Sequence, residues 1–221
     1  MLSDFSWLVD RWPFLLRALL TTLALSAASL ALGFVIGVLV GAARTYGGRL
    51  ADLLLGFYVD SIRAIPPLAL LVWTFFAFPL LLGHSLGAMT AGVLALGVHL
   101  GAYIAETVRA GLTSVRPGQM RAALALGMSR MAAIRTIILP QALVRMLPPL
   151  GSLAVIAVKD SAIASAIAVP ELLRQSQIVA GQTYRGPIIF TTLMVVYFVI
   201  NYPIARGVDR LYRRLAHLGA S

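Results

Sequence analysis

The sequence predicts an all-α membrane protein of about five transmembrane helices, on three observations. Hydrophobic residues make up 60% of the 221 and charged residues only 12%, against roughly half apolar and a quarter charged in soluble domains. Uncharged runs recur over residues 18–43, 64–105 and 186–205, and a hydrocarbon layer of about 30 Å needs about 20 such residues at 1.5 Å each. The arginines behind the net charge of +10 lie between those runs. Neither a soluble basic face nor basic strands interleaved with aromatics is present, so the charge reads as a topology signal and nucleic acid is excluded as a partner.

The first apolar segment, 14–43, carries Gly33, Gly37 and Gly41 at four-residue spacing, a small-residue face that lets another helix approach closely. The second, 51–82, contains Asp60, Arg63 and the pair Pro66-Pro67, which removes backbone donors and predicts a kink. A break around Gly83-His84 separates it from the third, 86–112, which holds His99 and ends with Glu106 and Arg109. The following stretch, with Arg116, Arg121, Arg130, Arg135 and Arg145, is too charged to span. Within it Pro117 opens one short helix that stops at Gly127, and Ser129 caps a second that Pro140 ends. The fourth span, 142–158, ends at Lys159-Asp160, and a mixed segment with Pro170, Glu171 and Arg174 leads to the fifth, 186–205, followed by a basic tail of Arg206, Arg210, Arg213 and Arg214. Alternate loops put Arg44, Arg49, the long basic loop and the tail on one side. That richer side is expected to be cytoplasmic, with the N-terminus outside and the C-terminus inside. Asp4 and Asp10 before a long apolar run argue against a cleaved signal peptide.

The long loop carries a specific likeness. Gly118-Gln119-Met120-Arg121-Ala122-Ala123-Leu124-Ala125-Leu126-Gly127, followed by Ile138-Leu139-Pro140-Gln141-Ala142, resembles the EAA loop of binding-protein-dependent ABC importer permeases. Tyr58 with Arg63-Ala64-Ile65-Pro66 is similar to the Arg-Gly-Thr-Pro motif of the polar amino-acid subfamily. Ala102-Tyr103-Ile104-Ala105-Glu106 is similar to its Ala-Tyr-x-x-Glu stretch, and Lys159-Asp160-Ser161 to its Lys-Asp-Thr-Ser segment. The resemblance covers residues 14–213 as one domain, with a coupling loop at 114–141. It implies a MetI-like type I permease fold in the bacterial inner membrane. The implied partners are two ATPase subunits, a second permease subunit, an external solute-binding protein and lipid. ATP and magnesium then belong to the ATPase, with no cofactor in this chain. The implied docking residues are Gln119, Arg121, Ala122, Ala123 and Gly127. Three departures stand out: Arg121 replaces the usual glutamate, Ala64-Ile65 replaces Gly-Thr, and His99 stands where asparagine is common. A weakened motif at Arg121 is easier to explain beside an intact partner, which favours a heterodimer of two permeases, with a homodimer as the alternative.

The residues agree with a non-catalytic role. No Gly-x-x-x-x-Gly-Lys-Ser/Thr phosphate loop is present, the three histidines are too scattered for a metal site, and no nucleophile is paired with a base. Charges inside spans cost roughly 2.5–3.5 kcal/mol each at mid-membrane unless paired or facing water. Asp60, Arg63, Glu106 and Arg109 therefore either form interhelical salt bridges or line a polar path on which Arg63 and Glu106 meet the ends of a zwitterion. Asp160 is a third candidate contact, and His99 either packs or tunes selectivity. The expected cargo is an amino acid or a related small polar solute. Rival readings are a non-amino-acid zwitterion, ectoine-like or an opine, and a passive channel that would need no docking loop.

Overall fold

The computed structural model describes residues 6–216, so Asp4 and His217 lie outside it. Eight helices carry the described chain: α1 Ser6–Tyr46, α2 Gly48–Ala64, α3 Pro67–Leu81, α4 Ala88–Thr113, α5 Pro117–Ala125, α6 Arg130–Ile167, α7 Leu172–Thr183 and α8 Gly186–Leu215. Four of these, α1, α4, α6 and α8, are long and apolar enough to cross a membrane, and α2 with α3 makes up to a fifth span. No strand occurs among the described residues.

Prolines account for the main departures from expectation. The pair Pro66-Pro67 breaks the second segment into two helices bent by 101° rather than kinking one. Pro67 bars the residue before it from helical ψ, and Pro66 sits at ψ 135° while Pro67 opens α3. Pro140, by contrast, stops nothing. The fourth span starts at Arg130 rather than at 142, because α6 relaxes into a π turn over Ile134–Ile138 just before the proline. There Leu139 N–H bonds the Ile134 carbonyl, one residue further back than in an α-helix, which widens the turn and leaves room for the ring. The same device precedes Pro79, where Trp73–Ala77 forms a π turn and Phe78 N–H bonds Trp73. The expected basic tail is likewise helical, since α8 continues to Leu215.

The chain folds as two compact units. One comprises the chain through Leu32, Ile65–Val98 and Ile156–Tyr202; the other Gly33–Ala64, His99–Val155 and the chain from Pro203. The first has a core of Leu25, Leu71, Ala91, Leu96, Ile167 and Val169. Its α7 starts at Glu171, which is 0% exposed. The Glu171 carboxylate accepts from Leu173 N–H at 2.9 Å and Arg174 N–H at 2.6 Å, and Thr22 of α1 accepts from Leu172 N–H at 2.9 Å. Three donors left over at the helix start are thus satisfied by side chains.

The second unit is built on contact between α1 and α4. A Cβ at Gly37 would lie 2.5 Å from Ile104, and one at Gly41 2.5 Å from the Ala105 carbonyl oxygen and 2.7 Å from Val108. On the facing helix, a Cβ at Gly101 would meet Ile36 at 2.9 Å. Two of the three glycines singled out by spacing therefore serve as expected, answered by a glycine on the partner helix. Val59 of α2 packs with Ala102 and Ala105 against the same seam. Gly41→Val must displace backbone, a strain of about 1–3 kcal/mol. It is expected to lower the thermal midpoint measured in detergent, and an unchanged midpoint would contradict this packing.

Candidate functional site

In the second unit, α4 presents His99, Tyr103, Glu106 and Thr107 at spacings of three and four from Tyr103, which is one face of a helix, and Ser114 follows just past its end. The close approach at Gly41 sets Arg44, about a turn further on, beside Glu106. Arg44 Nη1 donates to Glu106 Oε2 at 3.0 Å, and its Nε donates to Asp52 Oδ1 of α2 at 3.0 Å. Arg109 forks the same glutamate through Nε at 3.0 Å and Nη2, the two-point geometry that makes Arg–carboxylate pairs strong. Gly56 leaves room for this arrangement, since a Cβ there would lie 3.2 Å from the Arg44 guanidinium. The interhelical bridge of Glu106 thus runs to Arg44, whereas Arg109 is its neighbour on α4.

Arg63 is placed differently. Its guanidinium carbon lies 5.2 Å from the centre of the Tyr103 ring, a cation–π arrangement, and Tyr103 Oη donates to the Arg63 carbonyl at 3.5 Å. The His99 ring follows, 5.1 Å from Tyr103. His99 is only 6% exposed, and its Nδ1 has no hydrogen-bond partner. It is therefore not a fully satisfied packing histidine, because a buried polar atom without a partner is costly. Arg63, Tyr103 and His99 form one stack. Asp60 is exposed and forms no ion pair among the described residues. Asp160 belongs to the first unit, half-buried where α6 tightens into 3-10 turns over Ser161–Ile167.

Below Glu106 the α4 face opens into a hollow of about 330 Å³ lined by Glu106, Thr107, Ser114, Arg145 and Pro149 among others, the lower end of the range for small-molecule sites at roughly 300–1,000 Å³. Arg145 donates to the carbonyl of Ser114 and to its hydroxyl at 3.3 Å. The hollow offers a carboxylate, a guanidinium and two hydroxyls. The sequence places Arg44 and Arg145 among the loop arginines and marks neither as a site residue; the signals were Arg44 one turn beyond the glycine face and Arg145 five residues past Pro140 in a helix that Pro140 fails to end.

The docking residues lie on and just beyond α5. Ser129 caps the start of α6 as expected, accepting from Ala132 N–H at 3.2 Å. Gly127 has φ +82°, and two bonds close the end of α5: Gly127 N–H to Leu124 at 3.0 Å and Met128 N–H to Ala123 at 3.1 Å. That pairing is the Schellman motif, which requires a left-handed residue where Gly127 stands. Arg121, Ala122 and Gly127 are exposed and Gln119 is half-buried, while Ala123 is 0% exposed and packs inward. The largest apolar projection of the segment is not among the expected docking residues: Leu126, 84% exposed.

Comparison with known proteins accords with this geometry. The chain is 37% identical over 216 residues to the glutamine transport system permease protein GlnP of Escherichia coli strain K12, covering 97% of this chain and 99% of that protein. It is 34% identical to the probable glutamine ABC transporter permease protein GlnP of Bacillus subtilis strain 168, covering 91% and 94%. Among solved structures, an amino acid ABC transporter with histidines matches at TM-score 0.87 and 33% identity over 96% of this chain and 98% of that one. An inward-facing MetNI methionine ABC transporter matches at TM-score 0.78 and 27% identity over 93% and 98%. Residues 33–217 match the model of the binding-protein-dependent transport system inner membrane component, and this multi-pass membrane chain belongs to that family.

Proposed function

We propose that this chain is the permease subunit of an ATP-driven importer for amino acids or closely related small zwitterions. The observation that carries the reading is likeness over nearly the whole chain to glutamine and amino-acid permeases. The α4 face supplies fitting chemistry: guanidinium groups for a carboxylate and Glu106 for an ammonium. Arg63, His99, Glu106 and Asp160 are the assigned pathway residues, with Ser114 and Arg145 added by the hollow. The permease domain runs over 14–213, and its docking segment, 114–141, comprises α5 and the first turns of α6. Gln119, Arg121, Ala122 and Gly127 face the ATPase together with Leu126, and Ala123 supports them from within. ATP and magnesium reside in two partner ATPase subunits, and an external binding protein delivers the solute. The arginine bias between spans supports an outside N-terminus and a cytoplasmic C-terminus in the inner membrane.

Arg121 supports a heterodimer, since a cation at a surface that usually presents glutamate loses affinity unless the partner compensates. Proteoliposomes holding this chain, its ATPase and the binding protein are expected to take up glutamine or another amino acid only when a second permease is added. Full uptake without the second permease would refute the heterodimer, and no amino-acid uptake in either case would refute the function. His99→Asn is expected to change the ranking across an amino-acid panel without altering the thermal midpoint, because it replaces an unpartnered ring with a small amide. An unchanged ranking would remove His99 from the pathway. Gly127→Leu faces no steric clash, as nothing lies within 4 Å of its Cβ position, but it strains a left-handed residue by roughly 1–2 kcal/mol. ATP hydrolysis that continues while uptake falls is the expected outcome, and wild-type uptake would show that the helix end does not couple.

A further inference from the structure

We propose that the second unit binds an anionic phospholipid of the cytoplasmic leaflet in a groove between α1, α4, α5 and α6, with the phosphate at Arg130. The leaflet rests on the orientation given above. The groove has a volume of about 940 Å³, and its polar side chains are Thr45 and Tyr46 at the end of α1 and Arg130 at the start of α6. Phe34 and Val38 of α1, Val108 and Leu112 of α4, and Leu139 and Leu143 of α6 form apolar walls. The helix ends that carry these three residues are taken as its mouth, and no carboxylate lines any part of it.

The length is that of one leaflet. From Phe34 to Tyr46 is about 18 Å along a helix at 1.5 Å per residue, against about 15 Å for half of a hydrocarbon core of about 30 Å. The mouth is electrostatically open. Arg44 and Arg109 are paired with carboxylates, whereas Arg130 has no ion pair among the described residues. The Thr45 hydroxyl is engaged with the Gly41 carbonyl at 2.8 Å, which leaves the guanidinium of Arg130 and the hydroxyl of Tyr46 to meet a phosphate. Met120, Met131 and Met146 also line the groove, and unbranched thioethers adapt to a chain of no fixed shape. One cationic end, an acid-free apolar trough and a one-leaflet reach match a single headgroup with its acyl chains. Basic pockets between spans on the cytoplasmic side are a recurrent way to hold anionic headgroups.

The test is native mass spectrometry of the assembled transporter taken from nanodiscs of phosphatidylcholine with phosphatidylglycerol. Wild type is expected to retain phosphatidylglycerol about fivefold over phosphatidylcholine. Arg130→Gln should abolish that preference, and Arg130→Lys should keep most of it. Leu143→Trp fills the trough with Arg130 intact and should shed lipid of either kind. Equal retention of the two lipids by wild type, or retention indifferent to Arg130→Gln and Leu143→Trp, would overturn the proposal. So would loss of the second permease from the Leu143→Trp complex with lipid unchanged, which would give the groove to a protein neighbour. Met131→Cys, in a chain with no other cysteine, should react with an impermeant maleimide added from the cytoplasmic side; reaction from outside only would overturn the leaflet assignment. Bound lipid is read without reference to uptake, so failure here leaves the transport reading intact, and failed uptake leaves the lipid count valid.

Discussion

The contact of α1 with α4 through bare glycine backbone is the constraint on which the second unit depends. Apolar attraction alone cannot select this pair in lipid, where tails are as apolar as leucine, so close van der Waals contact must. Gly37 and Gly41 provide it, because any side chain there would overlap Ile104, Ala105 or Val108. The consequence is electrostatic. Once the backbones meet at Gly41 and Ala105, Arg44 is delivered to Glu106, and Arg44 in turn fixes Asp52 and so the start of α2. A carboxylate inside a span would otherwise cost several kcal/mol; here two guanidinium groups neutralise it, and the polar face of α4 persists next to an apolar seam.

Proline is handled in opposite ways at Pro66-Pro67 and at Pro79 and Pro140, and the preceding turn differs. At Pro66-Pro67 the second proline forces the first out of helical ψ, and the helix ends. At Pro79 and Pro140 the helix widens to a π turn just upstream, so the ring meets no carbonyl and the helix continues. Pro79 and Pro140 therefore mark no boundary, and doubling alone does not make one, since Pro148-Pro149 lies inside α6. This bears on the proposed docking segment. With Pro140 inside α6, the residues that follow α5 belong to a helix long and apolar enough to cross a membrane, and only the short Leu126–Ser129 connection separates the two.

Features governed by local backbone chemistry were legible in sequence: the glycine face, the Ser129 cap, the end of α5 at Gly127 and the third span. Features that depend on which helices become neighbours were not. Asp60, Arg63, Glu106 and Arg109 could be identified as charges needing partners, yet spacing could not reveal that Glu106 would find Arg44, a residue assigned to a turn. Arg63 could be assigned to a polar path but not to the face of Tyr103. The π turns escaped because their hydrogen-bond shift leaves no compositional mark, which moved the start of the fourth span. Leu126 escaped because motif comparison weighs the shared residues, whereas what an exposed surface offers a partner is decided by the side chain that projects furthest.

Two glutamates are held in contrasting ways. Glu171 is fully enclosed, and burial raises its carboxyl above the ordinary glutamate value while the N–H groups of Leu173 and Arg174 pull it back. Its oxygens are committed to the start of α7, with the Tyr197 hydroxyl a further 3.4 Å contact. Nothing is left for a solute. Glu106 is 27% exposed, meets two arginines and borders an open hollow. A passing ammonium could compete for Glu106 while the displaced guanidinium turned to the solute's carboxylate, so that exchange of partners keeps every charge satisfied. An ion cluster that faces a cavity can open this way at modest cost, because each charge it releases finds another. A capped helix start buried in a core cannot, since the backbone donors it would free have no alternative acceptor. On the proposed transport role, the Glu106 cluster rather than Glu171 is the element able to rearrange.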